Sequence, residues 1–305
     1  MERLSTMETS LPFTVIVPCR GHAEPLRACL RSISLQTRRP EAVVVVDSAS
    51  DDAVEAAARS FADAEVVRSE RPLLAGAARN LGAGHARSPW LAFIDADCVA
   101  DPGWLEAAAA AIRAGANVVG GAVLDLHPWH PVAATDNLLQ FADSSPHRPA
   151  GPASHLPSCS LALQRADFDS LGGFPEDIPV GEDVEFIARA VRAWGAGVRF
   201  VPTMRVRHAG RRTLAGLWRH QRVFGYVRGL RGHMLTPSQR RACARLDLIP
   251  AVMAWRYWYI ARRAWRYRTL TLARALLLSP LLTVGLLAYA LGLRRGCAAE
   301  LSEPT

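Results

Sequence analysis

Between residues 13 and 123 the chain alternates short β-rich runs with helix-like stretches, and this alternation restricts the fold more than any other feature. The runs are FTVIV (13–17), AVVVV (42–46), EVV (65–67), WLAFI (90–94) and NVVGGAV (117–123). Ala-, Leu- and Arg-rich stretches lie between them, at about 24–35, 52–62, 73–86 and 103–114. Continuous apolar strands alternating with helices imply an α/β fold, a mainly parallel central sheet covered by helices on both faces. Ligands of such sheets bind beyond the carboxyl ends of the strands. Asp47 follows the second run, and Asp95 and Asp97 follow the fourth, so three acids are expected at that edge. Alternate residues of an extended segment point the same way. Asp95 and Asp97 would then aim at one point, and their repulsion calls for a divalent ion or a basic side chain between them.

The next segment, residues 125–157, holds six Pro and four His (His127, His130, His147 and His155). It reads as a long surface excursion with one helix at 132–142, and the irregular His spacing fits a flexible acceptor lid better than a metal cluster. A strand at 158–163 and an LGGF turn at 171–174 follow. Residues 181–195 read as a helix whose first turn carries Glu182, Asp183 and Glu185, where the helix dipole favours negative charge. Short strands are expected at 198–202 and 205–208. Asp51 is placed to cap the helix after the second strand.

From residue 212 the chain reads as helical and rich in arginine. Residues 246–268 contain three of the eight Trp and three of the five Tyr. Residues 275–293 then run 19 positions without a charge, long enough to span or to lie on a bilayer core. Six Arg between 256 and 274 precede this run and two follow it. The positive-inside rule would keep the N-terminal part in the cytoplasm, on the inner face of the cell membrane.

Charge divides the chain in the same place. Residues 1–186 hold 14 Arg against 25 Asp and Glu, a net of −11, and residues 187–305 hold 22 Arg against 3 acids, a net of +19. The basic half interleaves with aromatic and apolar runs, which favours membrane lipids over nucleic acid as its partner. There is no Lys, which excludes P-loop and Schiff-base chemistry. The six Cys form no CxxC pair, so neither a zinc site nor a disulfide framework is expected. The first residues are polar and lack the apolar core of a signal peptide. An aspartyl-phosphate hydrolase would want its DxD on the first strand and a later Lys. A sugar nucleotidyltransferase would want a Gly-rich loop where this chain has PCRGHAEP.

Four segments in order resemble the family 2 glycosyltransferases. They are FTVIVPCRGHAEPLRACLRSISLQ, VVVVDSASDD, GAARNLGAGHARSPWLAFIDADC and LGGFPEDIPVGEDVEFIAR, within residues 12–210. The resemblance implies a GT-A nucleotide-sugar-binding fold and an inverting transfer supported by Mg²⁺ or Mn²⁺. It implies Asp97 as a metal ligand, Asp95 on the ribose or beside the metal, Asp47 on the nucleobase and Arg79 near the nucleotide. It also implies Asp183 as catalytic base and Glu182 orienting an Arg or the acceptor. Pro18 would shape the base pocket, and His208 would be a third metal or phosphate ligand. Gln221 and Arg222 stand where processive members carry Gln-x-x-Arg-Trp, but the Arg-Trp is absent, which argues against a polymer-extruding synthase. They are expected to contact diphosphate or acceptor, or to lie on lipid headgroups.

The expected division is a tail (1–11), a catalytic domain (12–210), a basic aromatic membrane-interface region (211–268) and a candidate transmembrane helix with its tail (269–305). The expected partners are a nucleotide-sugar donor, a lipid-linked or envelope-glycan acceptor and membrane lipids. The competing reading is an inactive membrane-bound scaffold on the same fold.

Overall fold

The computed structural model describes residues 11–302, apart from 22, 50–51, 62–63, 232–234 and 269–271. The expected polar tail and the expected cap Asp51 therefore lie outside the described residues, Leu11 excepted. The chain divides into two compact units. The first comprises 1–124, 148–178 and 182–208; the second comprises 125–147, 179–181 and 209–305.

The first unit is built on a twisted sheet. Strand β1 (Phe13–Cys19) leads to α1 (Ala23–Ser34), β2 (Ala42–Ser48), α2 (Asp52–Arg59) and β3 (Ala64–Ser69). Then follow α3 (Ala75–His85), β4 (Trp90–Phe93), β5 (Cys98–Ala100), α4 (Trp104–Arg113) and β6 (Val118–Asp125). After α5 (Pro131–Phe141) come β7 (Gly151–Pro152), β8 (Leu161–Gln164), α6 (Arg165–Ser170), α7 (Glu182–Trp194) and β9 (Val198–His208). The order is β3-β2-β1-β4-β8-β6-β9-β5, with β7 beside β9.

The sheet is mixed. β3, β2, β1 and β4 run parallel, with Cys19 opposite Asp47 and Ile16 opposite Phe93. β8 is antiparallel to both β4 and β6, and β5 is antiparallel to β9. The parallel half contains the continuous apolar runs, because its inner strands are covered on both faces. Val15, Ile16, Val17, Val45, Val46, Leu91, Ala92 and Phe93 are all fully buried. β3 lies at the edge and has no fully buried residue; Glu65 and Arg68 are exposed and the others part-buried.

Local departures from the sequence reading have local causes. Residues 198–208 form one continuous strand instead of two short ones. Residues 158–160 make a 3-10 turn before β8 begins at Leu161. Three residues, Cys98–Ala100, form β5, a strand too short to leave a periodicity.

The second unit is helical. It holds α5, α8 (Leu214–Leu230), α9 (Pro237–Cys243), α10 (Ile249–Arg266) and α11 (Leu272–Ser302). The expected surface excursion is different: its helix α5 buries Ala134, Leu138 and Leu139 in a cluster with Leu217, Ile260, Leu278, Leu282 and Leu286. His130 caps α5 and accepts a hydrogen bond from Ala133 N.

Helices α8 and α11 meet backbone to backbone through two pairs of glycines four residues apart. A Cβ on Gly225 would stand 2.0 Å from the Tyr289 carbonyl oxygen, and one on Gly229 2.4 Å from that of Leu293. Reciprocally, Gly292 faces the Arg222 carbonyl and Gly296 that of Tyr226, each at 2.1 Å. This small-xxx-small spacing on both helices is a close-packing device common in membrane helices. Pro280 inside α11 cannot donate to the Leu276 carbonyl four residues back. The Ser279 hydroxyl donates to that carbonyl instead, at 2.8 Å.

Candidate active site

Asp47, Asp95 and Asp97 lie in the first unit, at or just beyond the carboxyl ends of β2 and β4. Asp47 is the penultimate residue of β2 and fully buried, with Arg68 Nε of β3 3.7 Å from its Oδ2. Pro18 sits on β1 in register with Val46, one step from the Cys19–Asp47 pair. Ala49, just beyond β2, has a positive φ of 50°, a conformation that costs a non-glycine residue energy. Its amide donates to the Ser69 carbonyl and fixes this tight exit from the strand.

β4 ends at Phe93, and Ala96 and Asp97 form a turn closed by the Cys98 amide donating to the Asp95 carbonyl. Asp95 and Asp97 are therefore not alternate residues of one extended segment. Each acquires its own basic partner. Asp95 Oδ1 accepts from Arg79 Nη2 at 2.6 Å, and Asp97 Oδ2 stands 3.5 Å from His208 Nε2. Pairing β5 with β9 creates the second relationship, because Cys98 and His208 are in register.

Arg79 is buried and bridges two segments. Its other amine, Nη1, donates to Glu182 Oε1 at 2.6 Å. Burial alone would lower its pKa, but Asp95 and Glu182 more than offset this and the net displacement is upward. Burial raises Glu182 above the ordinary carboxylate range, and Arg79 only partly counteracts it. Arg79 was expected near the nucleotide; two carboxylates and the Phe174 ring, 5.5 Å from its guanidinium carbon, hold it in place.

The neighbourhood of Arg79 explains two of the sequence segments as one construction. Asn80 forms a pair of 2.8 Å bonds with Phe174, donating to its carbonyl and accepting from its amide. Gly76 leaves room for the Pro175 carbonyl, which a Cβ would approach to 2.1 Å. Gly173, with φ of 65°, turns beneath Asn80. Phe174 then packs on Phe93, Phe168 and Phe186. Thus α3 and the Gly-Gly-Phe turn interlock, and the chain resumes in this unit at Glu182, at the start of α7.

Asp183 follows Glu182. Its Oδ2 accepts from the Ser158 amide at 3.2 Å and its Oδ1 from the Val184 amide at 2.8 Å. Both oxygens are oriented by backbone, and the part-exposed carboxylate sits at the positive end of α7.

The sequence signals leave Ser158 without a role, although its amide orients Asp183. Cys98 is fully buried, yet its sulfur lies 4.0 Å from Asp97 Oδ1. Burial, then Cys159, then the two aspartates hold its thiol well above the ordinary range. Ligand atoms of Asp97, Cys98 and His208 all lie within 4.8 Å of one another. Among the described residues no other such group of His, Cys, Asp and Glu occurs. Gln221 and Arg222 belong to the second unit. Gln221 is buried with neither amide atom hydrogen-bonded among the described residues, and Arg222 is exposed.

A GT-A nucleotide-sugar fold with an acid cluster at its strand ends defines the class. Residues 14–139 match the family described as Glycosyl transferase family 2. The chain carries a family 2 glycosyltransferase domain. The glycosyltransferase AglE of Haloferax volcanii is 30% identical over 195 residues, covering 61% of this chain and 64% of the relative. The chain thus spans somewhat under two thirds of AglE. The structure of S. aureus TarS 1-349 in complex with UDP-GlcNAc aligns at a TM-score of 0.56 and 16% identity, covering 92% of this chain and 90% of that one. Mannosyltransferase PcManGT from Pyrobaculum calidifontis, in complex with GDP-Man and Mn²⁺, aligns at 0.56 and 21% identity, covering 97% and 88%.

Proposed function

We propose that the protein is a metal-dependent, inverting glycosyltransferase that moves a sugar from a nucleotide-sugar donor to a hydroxyl of a lipid-linked or cell-envelope glycan. The observation that supports this reading is that the acids of the first unit have separate partners. Asp97 is paired with His208, Asp95 with Arg79, and Asp183 is held by two backbone amides.

Asp97 and His208 offer an oxygen and a nitrogen close together, a donor set that suits a divalent ion such as Mn²⁺ or Mg²⁺. Such an ion neutralises the charge that grows on the leaving diphosphate. The chain's own residues do the rest. Asp47, at the end of β2, accepts from the nucleobase, with Pro18 shaping that pocket. Asp95 is held at the ribose by Arg79. As the acceptor oxygen attacks the anomeric carbon, the sugar–phosphate bond breaks and the nucleoside diphosphate departs. Asp183 takes the acceptor proton, a role that demands a fixed carboxylate within hydrogen-bond reach.

The second unit supports attachment to a membrane surface. On α10, Trp255, Trp258 and Trp265 are exposed with spacings of three and seven, so they share a helix face. Residues 249–266 include four Arg and no acid. One helix, Ala273–Leu301, is long and apolar enough to cross a bilayer, and half of its most apolar stretch is buried. Aromatic rings beside arginines suit the headgroup layer of an anionic membrane. With the larger Arg cluster before that helix, the catalytic unit is assigned to the cytoplasmic side.

Calorimetric titration of UDP, GDP, dTDP and CDP into detergent-solubilised protein, with and without Mn²⁺, tests the reading. Metal-dependent binding of one nucleotide, lost in Asp97→Ala, is expected. A folded sample that binds none of them would overturn it in favour of an inactive scaffold.

A further inference from the structure

The proposed reaction uses an oxygen of Asp97 and a nitrogen of His208, and leaves the sulfur beside them idle. Cys98 opens β5, directly opposite His208, the last residue of β9. The turn at 96–97 swings Asp97 back onto the same spot, and the three donors converge within 4.8 Å. Tetrahedral donors with metal bonds of roughly 2.0–2.3 Å lie about 3.3–3.8 Å apart, so the three would close by about 1 Å on binding. An oxygen, a nitrogen and a thiolate together select for softer ions than oxygen and nitrogen alone.

The geometry points to a mixed-donor site in which Asp97, Cys98 and His208 together bind a thiophilic divalent ion such as Zn²⁺, Co²⁺ or Cd²⁺, in competition with the Mg²⁺ or Mn²⁺ that supports transfer. It rests on the reading that Asp97 and His208 hold the reaction's metal. On binding, the S–H bond of Cys98 breaks, its proton passes to solvent and a sulfur–metal bond forms; no electron is transferred. A tetrahedral ion with three protein ligands keeps one open position. A diphosphate that grips through two oxygens needs two. A thiophilic ion held by all three residues would therefore exclude a bidentate diphosphate and inhibit.

The test is a Co²⁺ titration of the metal-stripped, full-length protein, read at two wavelengths. Visible d–d bands report Co²⁺ in the site, and a near-ultraviolet thiolate-to-cobalt charge-transfer band reports sulfur. Both are expected to rise together at one ion per chain. Cys98→Ala should lose the charge-transfer band and keep the visible bands, and Cys159→Ala should keep both. Visible bands without charge transfer in the unaltered protein would overturn the inference and leave the metal reading standing. A charge-transfer band that survives Cys98→Ala would also overturn it, since five other cysteines are present. Co²⁺ binding that is absent, or unaffected by Asp97→Ala, would overturn the metal reading with it. Zinc-edge X-ray absorption on the unaltered protein needs no variant. One sulfur at about 2.3 Å is expected, and only nitrogen and oxygen neighbours would refute the site.

Discussion

Arg79 and Glu182 lie 103 positions apart in the chain and meet at 2.6 Å in the interior. Because Arg79 also holds Asp95, this contact connects the loop after β4 to the start of the helix that bears Asp183. The two segments thus share one guanidinium.

Arg79→Met should therefore destabilise the protein by about 3–5 kcal/mol, the usual consequence of leaving buried charges without a partner. Arg79→Lys should recover little, because one ammonium lacks the planar fork that reaches two carboxylates. Denaturant melts of the two variants would check this. A lysine variant as stable as the parent would refute the bridging role.

Asp183→Asn keeps the shape of the side chain and removes its capacity to take a proton. Turnover should fall by about 10²–10⁴-fold, while nucleotide affinity stays within twofold. Steady-state rates alongside nucleotide titrations separate the two. Equal losses in both would place Asp183 in binding instead.

The glycine contact between α8 and α11 should be intolerant of any side chain. Gly225→Ala and Gly292→Ala each place a methyl about 2 Å from a backbone oxygen, and overpacking of this kind costs about 1–3 kcal/mol. Gly84→Ala, at an exposed helical position with nothing within 4 Å of the new methyl, is the control and should be neutral or slightly stabilising. Thermal melts of the three variants would rank them.

Asp136 links stability to pH in the second unit. It is fully buried on α5; burial pushes its pKa up, but the His220 ring and the Arg211 amide outweigh that and hold it below the ordinary value. A carboxylate with a depressed folded pKa contributes stability that is present above its unfolded pKa and lost as pH falls through the folded one. Melting temperature should drop below about pH 4. Asp136→Asn should be less stable at neutral pH and show a flatter acid limb.

Much of the fold was legible because buried parallel strands require unbroken apolar runs. FTVIV, AVVVV and WLAFI are such runs, and the acids that end the last two mark the ligand edge. The partners of those acids were not legible. Asp95 and Asp97 look equivalent in sequence, and what separates them is a turn plus partners at 79 and 208. Glu182 was expected to orient an Arg or the acceptor, but local sequence could not show that the Arg is Arg79 or that Asp95 shares it. The three residues of β5 carry no periodicity, so the convergence of Cys98 with His208 was invisible. The paired glycines stand in plain view as GYVRG and GLRRG. What the sequence lacked was any sign that the two segments face each other.

The backbone leaves the first unit at 125, returns at 148, leaves again for 179–181, and departs finally after His208. This threading constrains how such proteins diversify. Exchanging the tail beyond residue 208 with that of a relative would strand α5, whose apolar face is matched to the native tail. A successful chimera must carry 125–147 with 209–305 as one inheritance block, although 61 residues of sheet-building chain lie between them. Covariation across that gap is the signature this architecture should leave in its lineage.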